Sequence, residues 1–463
     1  MRKVWLLMVG SFTLGLDAYV MAGLLPVVAD DLGTTVSLAG QMVTVFTLAY
    51  AVSAPLVAGL LSGVRPRVLI VAALAVFTLG NGLTALAPGL AVLLVSRAVA
   101  GVGAGVYSAL STAAAAALAG EERRGRALAL VMGGMSSGTV LGVPLGVLLA
   151  DHTSWRATMW LVTGLGAVAL VGLAVGLPDI PAAPAVPVRA RLAALTDRRV
   201  LPIVGVSFLG AVASLGLYTY LAPVLASSGG VGDGAVAPYL WAWGIGGVLG
   251  SVVAGPLVDR TGRVFALVTG IVATLVVAIG VLPLLGAAAF PALVVWGAAG
   301  WAFQVPQQHR LLALRAERGT VALGPVSKVP PARRRPARTP PRLKGAGGPP
   351  AALSGTPRYN QYRGDPPPCD RTHRTPPGPP SGRTTGLSTQ ALALNNSALY
   401  LGSAVGSGAA GLALAAGLAP TYLPWAAAAV AATGLLLHLS HRAPAHPVGA
   451  GSPDTAAAGT RRA

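Results

Sequence analysis

The chain has 463 residues, 54% of them hydrophobic and only 10% charged, with 33 Lys and Arg against 14 Asp and Glu and a net charge of +19. Its mean hydropathy is +0.69, whereas a soluble domain carries roughly a quarter of charged residues, so a water-soluble fold is excluded. One cysteine, Cys369, and six histidines without a paired helical spacing exclude an intramolecular disulfide and a Cys-based metal or redox motif, and no metal or cofactor is expected.

About 20 apolar residues carry a helix across the hydrocarbon layer. Twelve uncharged runs of that kind are read at 4–28, 39–61, 68–88, 90–114, 126–150, 155–177, 201–225, 234–258, 264–286, 290–312, 391–418 and 420–440. The first is too long for a secretory signal, lacks a small-residue cleavage site and leads directly into further spans. The expected class is therefore all-α and polytopic, with twelve helices in two six-helix halves. The halves are 1–177 and, after a polar connection at 178–200, 201–323 continued by 391–440, with a tail at 441–463. Cytoplasmic loops retain Lys and Arg, and an even number of spans puts both termini on one side. If that side is the cytoplasm, 31 of the 33 basic residues fall there, leaving Arg156 in an outside loop and Arg97 inside a span. The charge then reads as an orientation signal in a plasma (inner) membrane protein, and no nucleic-acid partner is needed.

Residues 324–390 break the pattern. They hold twelve Lys and Arg, two acids and sixteen of the 37 prolines, a composition that forbids regular helix and supplies too little apolar surface to order the chain. Either this is a basic loop that binds anionic lipid or regulates, or it is an inserted or out-of-frame stretch without a role. The flanking segments Val321-Ala322-Leu323 and Ala391-Leu392-Ala393-Leu394 join naturally, which favours the second reading.

Motifs recur at matching places in the two halves. After span 8 the chain reads Gly255-Pro256-Leu257-Val258-Asp259-Arg260-Thr261-Gly262-Arg263, and after span 2 it reads Gly59-Leu60-Leu61-Ser62-Gly63-Val64-Arg65-Pro66-Arg67. Span 4 carries Arg97-Ala98-Val99-Ala100-Gly101 and span 5 carries Gly138-Thr139-Val140-Leu141-Gly142-Val143-Pro144-Leu145-Gly146. With Trp155-Arg156-Ala157 before span 6, and Asn395, Gly402 and Gly406 in span 11, the sequence resembles the major facilitator superfamily. Within that family it is similar to the twelve-helix proton-coupled drug antiporters, the chloramphenicol and arabinose efflux-like exporters. The resemblance covers both halves but not 324–390. It implies that Gly255, Asp259, Arg260, Gly262 and Arg263 belong to a cytoplasmic gate, although Ser62 stands where the first copy would have an acid. It ties Arg97 to proton coupling and Gly138, Gly142, Pro144 and Gly146 to gating.

The residues carry their own argument. Asp17 lies about thirteen residues, roughly 20 Å, into span 1, where an ionised acid costs at least about 2.5 kcal/mol, so it should face a partner or cavity and can exchange a proton there. Arg97 cannot release its proton and is a fixed charge. These two are the only charges deep in the spans and are candidates for each other, as a coupling pair or as a structural anchor. Gly134, Gly138, Gly142 and Gly146 recur every four residues and form one smooth helix strip, for packing or for gating. Tyr19, Tyr218, Tyr220, Trp301 and Phe303 are candidates to line an apolar substrate cavity, with Gln304 and Asn395 as polar contacts. Gln304, Gln307, Gln308 and His309 otherwise read as a polar helix end, and Tyr239, Trp241 and Trp243 as an interfacial belt.

No Walker loop is present, so an ion gradient is the expected energy source. The leading expectation is a non-enzymatic, monomeric secondary transporter in the lipid bilayer that exports a small amphiphilic molecule or antibiotic in exchange for protons by alternating access. Export of a sugar or endogenous metabolite, or a non-transporting protein inactivated by 324–390, remain the alternatives.

Overall fold

A computed structural model describes residues 2–60, 64–119, 123–180, 197–228, 236–311 and 382–441, and all regular structure among them is helical. Among the described residues ten helices are long and apolar enough to cross a membrane, and a bent pair brings the number to eleven. The first half holds α1 (Arg2–Asp31), α2 (Val36–Leu60), α3 (Pro66–Ala85), α4 (Leu90–Ala119), α5 (Arg124–Ser137), α6 (Val143–His152) and α7 (Trp155–Gly176). The second half holds α8 (Val200–Thr219), α9 (Leu221–Ser227), α10 (Ala237–Thr261), α11 (Val264–Gly280), α12 (Leu282–Leu285), α13 (Phe290–Ala302), α14 (Gly382–Ala415) and α15 (Leu423–Ser440).

Three places differ from a straight reading of hydropathy. The helix from 264 bends by 43° near Val281, where Pro283 follows and Gly286 takes a positive φ of 50°. The run 290–312 is not one helix: α13 ends at Ala302, Phe303 forms a turn, and residues 304–311 resume helix around Pro306. The helix of span 11 begins at Gly382, nine residues before the boundary drawn from composition. The last proline of the tract is Pro380, so its final stretch contains nothing that forbids helix. The part at 324–381 lies outside the described residues.

α5 and α6 are one span joined through a π-helical turn, Gly138–Gly142. Pro144 has no N–H to give to the carbonyl four residues back and its ring would press on that carbonyl. The widened turn just before it accommodates the ring, and π-turns of this kind concentrate at functional sites.

Packing repeats between the halves. The α5–α6 span lies on α1 as α14 lies on α8, α4 on α2 as α13 lies on α10, and α3 on α7 as α11 lies on α15. In each of the first two pairings a glycine brings one backbone against another. A Cβ at Gly138 would stand 2.0 Å from the Phe12 carbonyl oxygen and one at Gly406 2.2 Å from that of Val212. Lipid tails are as apolar as the side chains, so such close approach, rather than water exclusion, holds membrane helices together. Large apolar side chains on the outer surface, such as Val168, Val175, Val277 and Leu412, are left exposed, as lipid contact requires.

The halves meet where α2 packs on α14, where α10 packs on the α5–α6 span, and where α1 touches α8 and α9. On the first, Ser37 Oγ donates to the Gly411 carbonyl at 2.5 Å, the hydroxyls of Thr44 and Ser407 are 2.9 Å apart, and Tyr50 stacks on Tyr400 at 3.6 Å.

Candidate functional site

α1 serves three neighbours at once, because successive residues turn through about 100°. Met8, Phe12, Leu16 and Val20 face the α5–α6 span, Asp17 faces the core of the first half, and Tyr19 faces the second half.

Asp17 and Arg97 do meet. Arg97 Nη1 donates to Asp17 Oδ1 at 2.8 Å, with the Arg97 side chain 1% and the Asp17 side chain 0% exposed. The same Nη1 donates to Asn81 Oδ1 at 3.0 Å, and the guanidinium lies over the Phe46 ring at 4.3 Å. Asp17 Oδ2 and Arg97 Nε have no hydrogen-bond partner. A buried pair that leaves capacity unused is costly in low dielectric, and it has groups free to form a different arrangement. Asn81, on α3, escaped the sequence reading. Its signal is a carboxamide within an apolar helix, one turn from the end of α3.

Tyr19 opens the second part of the site. Its ring centroid is 5.8 Å from Tyr218, 5.9 Å from Trp243 and 6.1 Å from Trp301, while Tyr218 and Trp243 are 4.3 Å apart and Trp296 joins at 6.3 Å from Trp243. Beside this cluster a small cleft lies between the halves, lined by Ser136, Thr139 and Val140 at the π-turn, Gly244, Gly247 and Val248 of α10, and Trp301. Its walls are aromatic, aliphatic and hydroxyl, without a charged side chain. Trp243, read from sequence as part of an interfacial belt, is 1% exposed and belongs to this cluster, with its Nε1 unpartnered. Tyr239 is also buried and stacks on Phe290 at 4.2 Å, so only Trp241 stands exposed as a belt residue should. Helical period separates Trp241 from Trp243 by roughly 200°, a distinction that adjacency in sequence conceals.

The other candidates scatter. Tyr220 is buried at the α2–α14 seam, its hydroxyl 3.5 Å from the Ser37 carbonyl. Phe303 packs with Val206, Val268 and Val272 inside the second half. Gln304 is half-buried just beyond the turn. Asn395 is buried with Oδ1 unpartnered. Gln307, expected at a polar helix end, is instead fully buried and donates from Nε2 to the Ile203 carbonyl at 3.0 Å and to Ser207 at 3.2 Å. The turn at Phe303 re-aims that segment toward α8. Gln308 and His309 are exposed, as a helix end implies.

The glycine strip of the α5–α6 span packs within its own half. Gly134, Gly138, Gly142 and Gly146 stand against Met8, Phe12, Leu16 and Val20 of α1, one four-residue row on another. In the Gly255–Arg263 motif, Gly262 ends α10 with φ 58°, and Asp259, Arg260 and Arg263 are exposed. Gly255 faces open space. The first copy of the motif lies partly outside the described residues.

Residues 7–324 match the family model for the Major Facilitator Superfamily. An uncharacterized MFS-type transporter, YbcL, of Bacillus subtilis (strain 168) is 31% identical over 331 residues, 69% of this chain and 83% of the relative. The inner membrane transport protein YdhP of Escherichia coli (strain K12) is 32% identical over 314 residues, 67% and 80% of the two chains. A chloramphenicol resistance protein of Streptomyces lividans is 34% identical over 261 residues, 56% and 67%.

Proposed function

The chain belongs to the major facilitator superfamily and is a multi-pass membrane transporter, and from that premise we propose that it exports a small, uncharged or weakly charged amphiphile in exchange for protons. The observation that carries the reading is the Asp17–Arg97 pair, wholly buried and incompletely bonded, with Asp17 on the same helix as Tyr19. A proton taken up by Asp17 cancels the charge that holds Arg97. Two residues on, Tyr19 contacts the aromatic cluster of the other half, so a change in how α1 sits reaches the cleft directly. The narrow cleft and the aromatic cluster beside it together present ring faces and hydroxyls but no counter-charge, a lining that suits an amphiphile better than a sugar or an ionic metabolite. The similarity to a chloramphenicol resistance protein supports the same class.

The chain lies in the plasma membrane as a monomer with both termini in the cytoplasm, the orientation that places 31 of 33 basic residues inside. Asp17 and Arg97 carry the proton coupling. The strip Gly138, Gly142, Pro144 and Gly146 and the segment Gly255–Arg263 move as gates between the inward-open and outward-open states.

Everted vesicles test this with radiolabelled chloramphenicol first and a panel of uncharged amphiphiles after it. An imposed gradient, acid inside the vesicle, should drive accumulation that a protonophore abolishes, and Asp17→Asn should abolish it with the protein still inserted. Gradient-driven accumulation that survives in Asp17→Asn overturns the coupling role.

A further inference from the structure

Arg97 has two acceptors, and they sit on helices of different standing. Asp17 is on α1. Asn81 is on α3, which is clamped to the helix of Arg97 itself. A Cβ at Gly80 would lie 2.5 Å from the Ala100 amide nitrogen, and one at Gly103 2.4 Å from that of Phe77. The hydroxyls of Thr84 and Ser96 are 2.9 Å apart one turn further along. Around Asn81, then, α3 and α4 touch backbone to backbone, and nothing can separate them without breaking that contact. The amide is also oriented. Asn81 Nδ2 donates to the Phe77 carbonyl at 3.1 Å, which leaves Oδ1 aimed at Arg97 Nη1, 3.0 Å away.

We infer that Asn81 is a positioning residue, the fixed station that keeps Arg97 in place whenever Asp17 is neutral. This rests on the proposed coupling, in which Asp17 alternates between carboxylate and acid. With Asp17 charged, Arg97 is held by carboxylate, amide and the Phe46 face together. With Asp17 protonated the charge attraction is gone and only the carbonyl oxygen of the acid still accepts, so a buried guanidinium without a further acceptor would have to leave its site or draw in water. The Asn81 oxygen and the Phe46 ring remain, one an acceptor and the other a π-face at 4.3 Å. They hold the cation without competing for a proton, since an amide does not titrate. Among the described residues Asp17 and Arg97 are the only ionised side chains at this place, so no third charge can do the work.

The test uses the purified full chain in detergent and needs no substrate. Asn at position 17 stands in for the neutral acid, so melting temperatures of wild type, Asp17→Asn, Asn81→Ala and the double variant form a cycle. Loss of Asn81 should cost at least about 2 °C more in the Asp17→Asn background than in wild type. A double variant that fails to insert while both single variants insert counts the same way. Costs that add to within about 1 °C overturn the inference, because a residue that only fills space is indifferent to the charge on Asp17. Failure of Asn81→Ala alone to insert also overturns it, since the amide would then be needed while Asp17 is charged. Additivity leaves the coupling reading intact, whereas gradient-driven export that survives Asp17→Asn removes that reading and leaves the cycle to stand on its own.

Discussion

A methyl group placed at Gly138 is the smallest perturbation with a large consequence here. The Cβ of Gly138→Ala would sit 2.0 Å from the carbonyl oxygen of Phe12 and 2.9 Å from the amide nitrogen of Leu16. Ordinary contact begins near 3.4 Å, so α1 must retreat by about 1.4 Å or the π-turn must rotate. Neither move can be absorbed by a rotamer, because both obstructing atoms are backbone. Overpacking of this kind costs about 1–3 kcal/mol, a loss of several degrees in melting temperature. Gly133 on the same helix faces open space, and there alanine gains up to about 1 kcal/mol in helix propensity. The pair should therefore move in opposite directions. Melting temperatures in detergent, followed by fluorescence, give the first readout. Gradient-driven efflux gives the second and should fall for Gly138→Ala, since Thr139 and Val140 line the cleft. Gly142→Leu should impair efflux more than Gly133→Leu for the same reason. Equal melting temperatures for Gly133→Ala and Gly138→Ala would refute the reasoning, because close approach at the strip would then carry no energy.

Asp17→Leu leaves the Arg97 guanidinium only the Asn81 oxygen and the Phe46 face and should cost up to about 3–5 kcal/mol, seen as poor accumulation in the membrane. Adding Arg97→Met should restore accumulation without restoring driven efflux. Gly262→Ala forces a left-handed backbone on a residue with a Cβ and should cost about 1 kcal/mol, read as a lowered melting temperature, while Gly255→Ala, whose Cβ meets nothing, should be neutral. Deleting 324–381 should leave accumulation and efflux at or above the level of the full chain. Loss of efflux with normal insertion would make the tract a working part.

Length and apolarity made the spans legible, because a bilayer demands long uninterrupted helices and little else does. The pairing of Asp17 with Arg97 was legible for a related reason: a membrane leaves isolated charges few places to go. What escaped was information carried by direction rather than composition. Trp243 and Trp241 are alike in sequence, yet one is buried between the halves and the other faces outward, and only the helical phase relative to the opposite half decides which. Asn81 is a single polar residue whose importance depends on two glycines, Gly80 and Gly103, closing α3 on α4. The break at Phe303 and the early start of α14 at Gly382 depend on single residues, Pro306 and the absence of proline after Pro380, that a window average dilutes.

The strip between α1 and the α5–α6 span divides into two kinds of contact with different evolutionary prospects. At Gly142 and Gly146 the nearest α1 atoms are side-chain atoms of Leu16 and Val20, so a larger residue on one helix can be accommodated by a smaller one on the other, and the two positions are free to drift as a pair. At Gly138 the obstacle is the peptide oxygen of Phe12, which every amino acid at that position would present. No partner substitution makes room for a Cβ there. Sequence change along this interface is therefore negotiable at Gly142 and Gly146 and closed at Gly138, where the π-turn begins, and a lineage that lost Gly138 would have to move a helix rather than exchange a side chain.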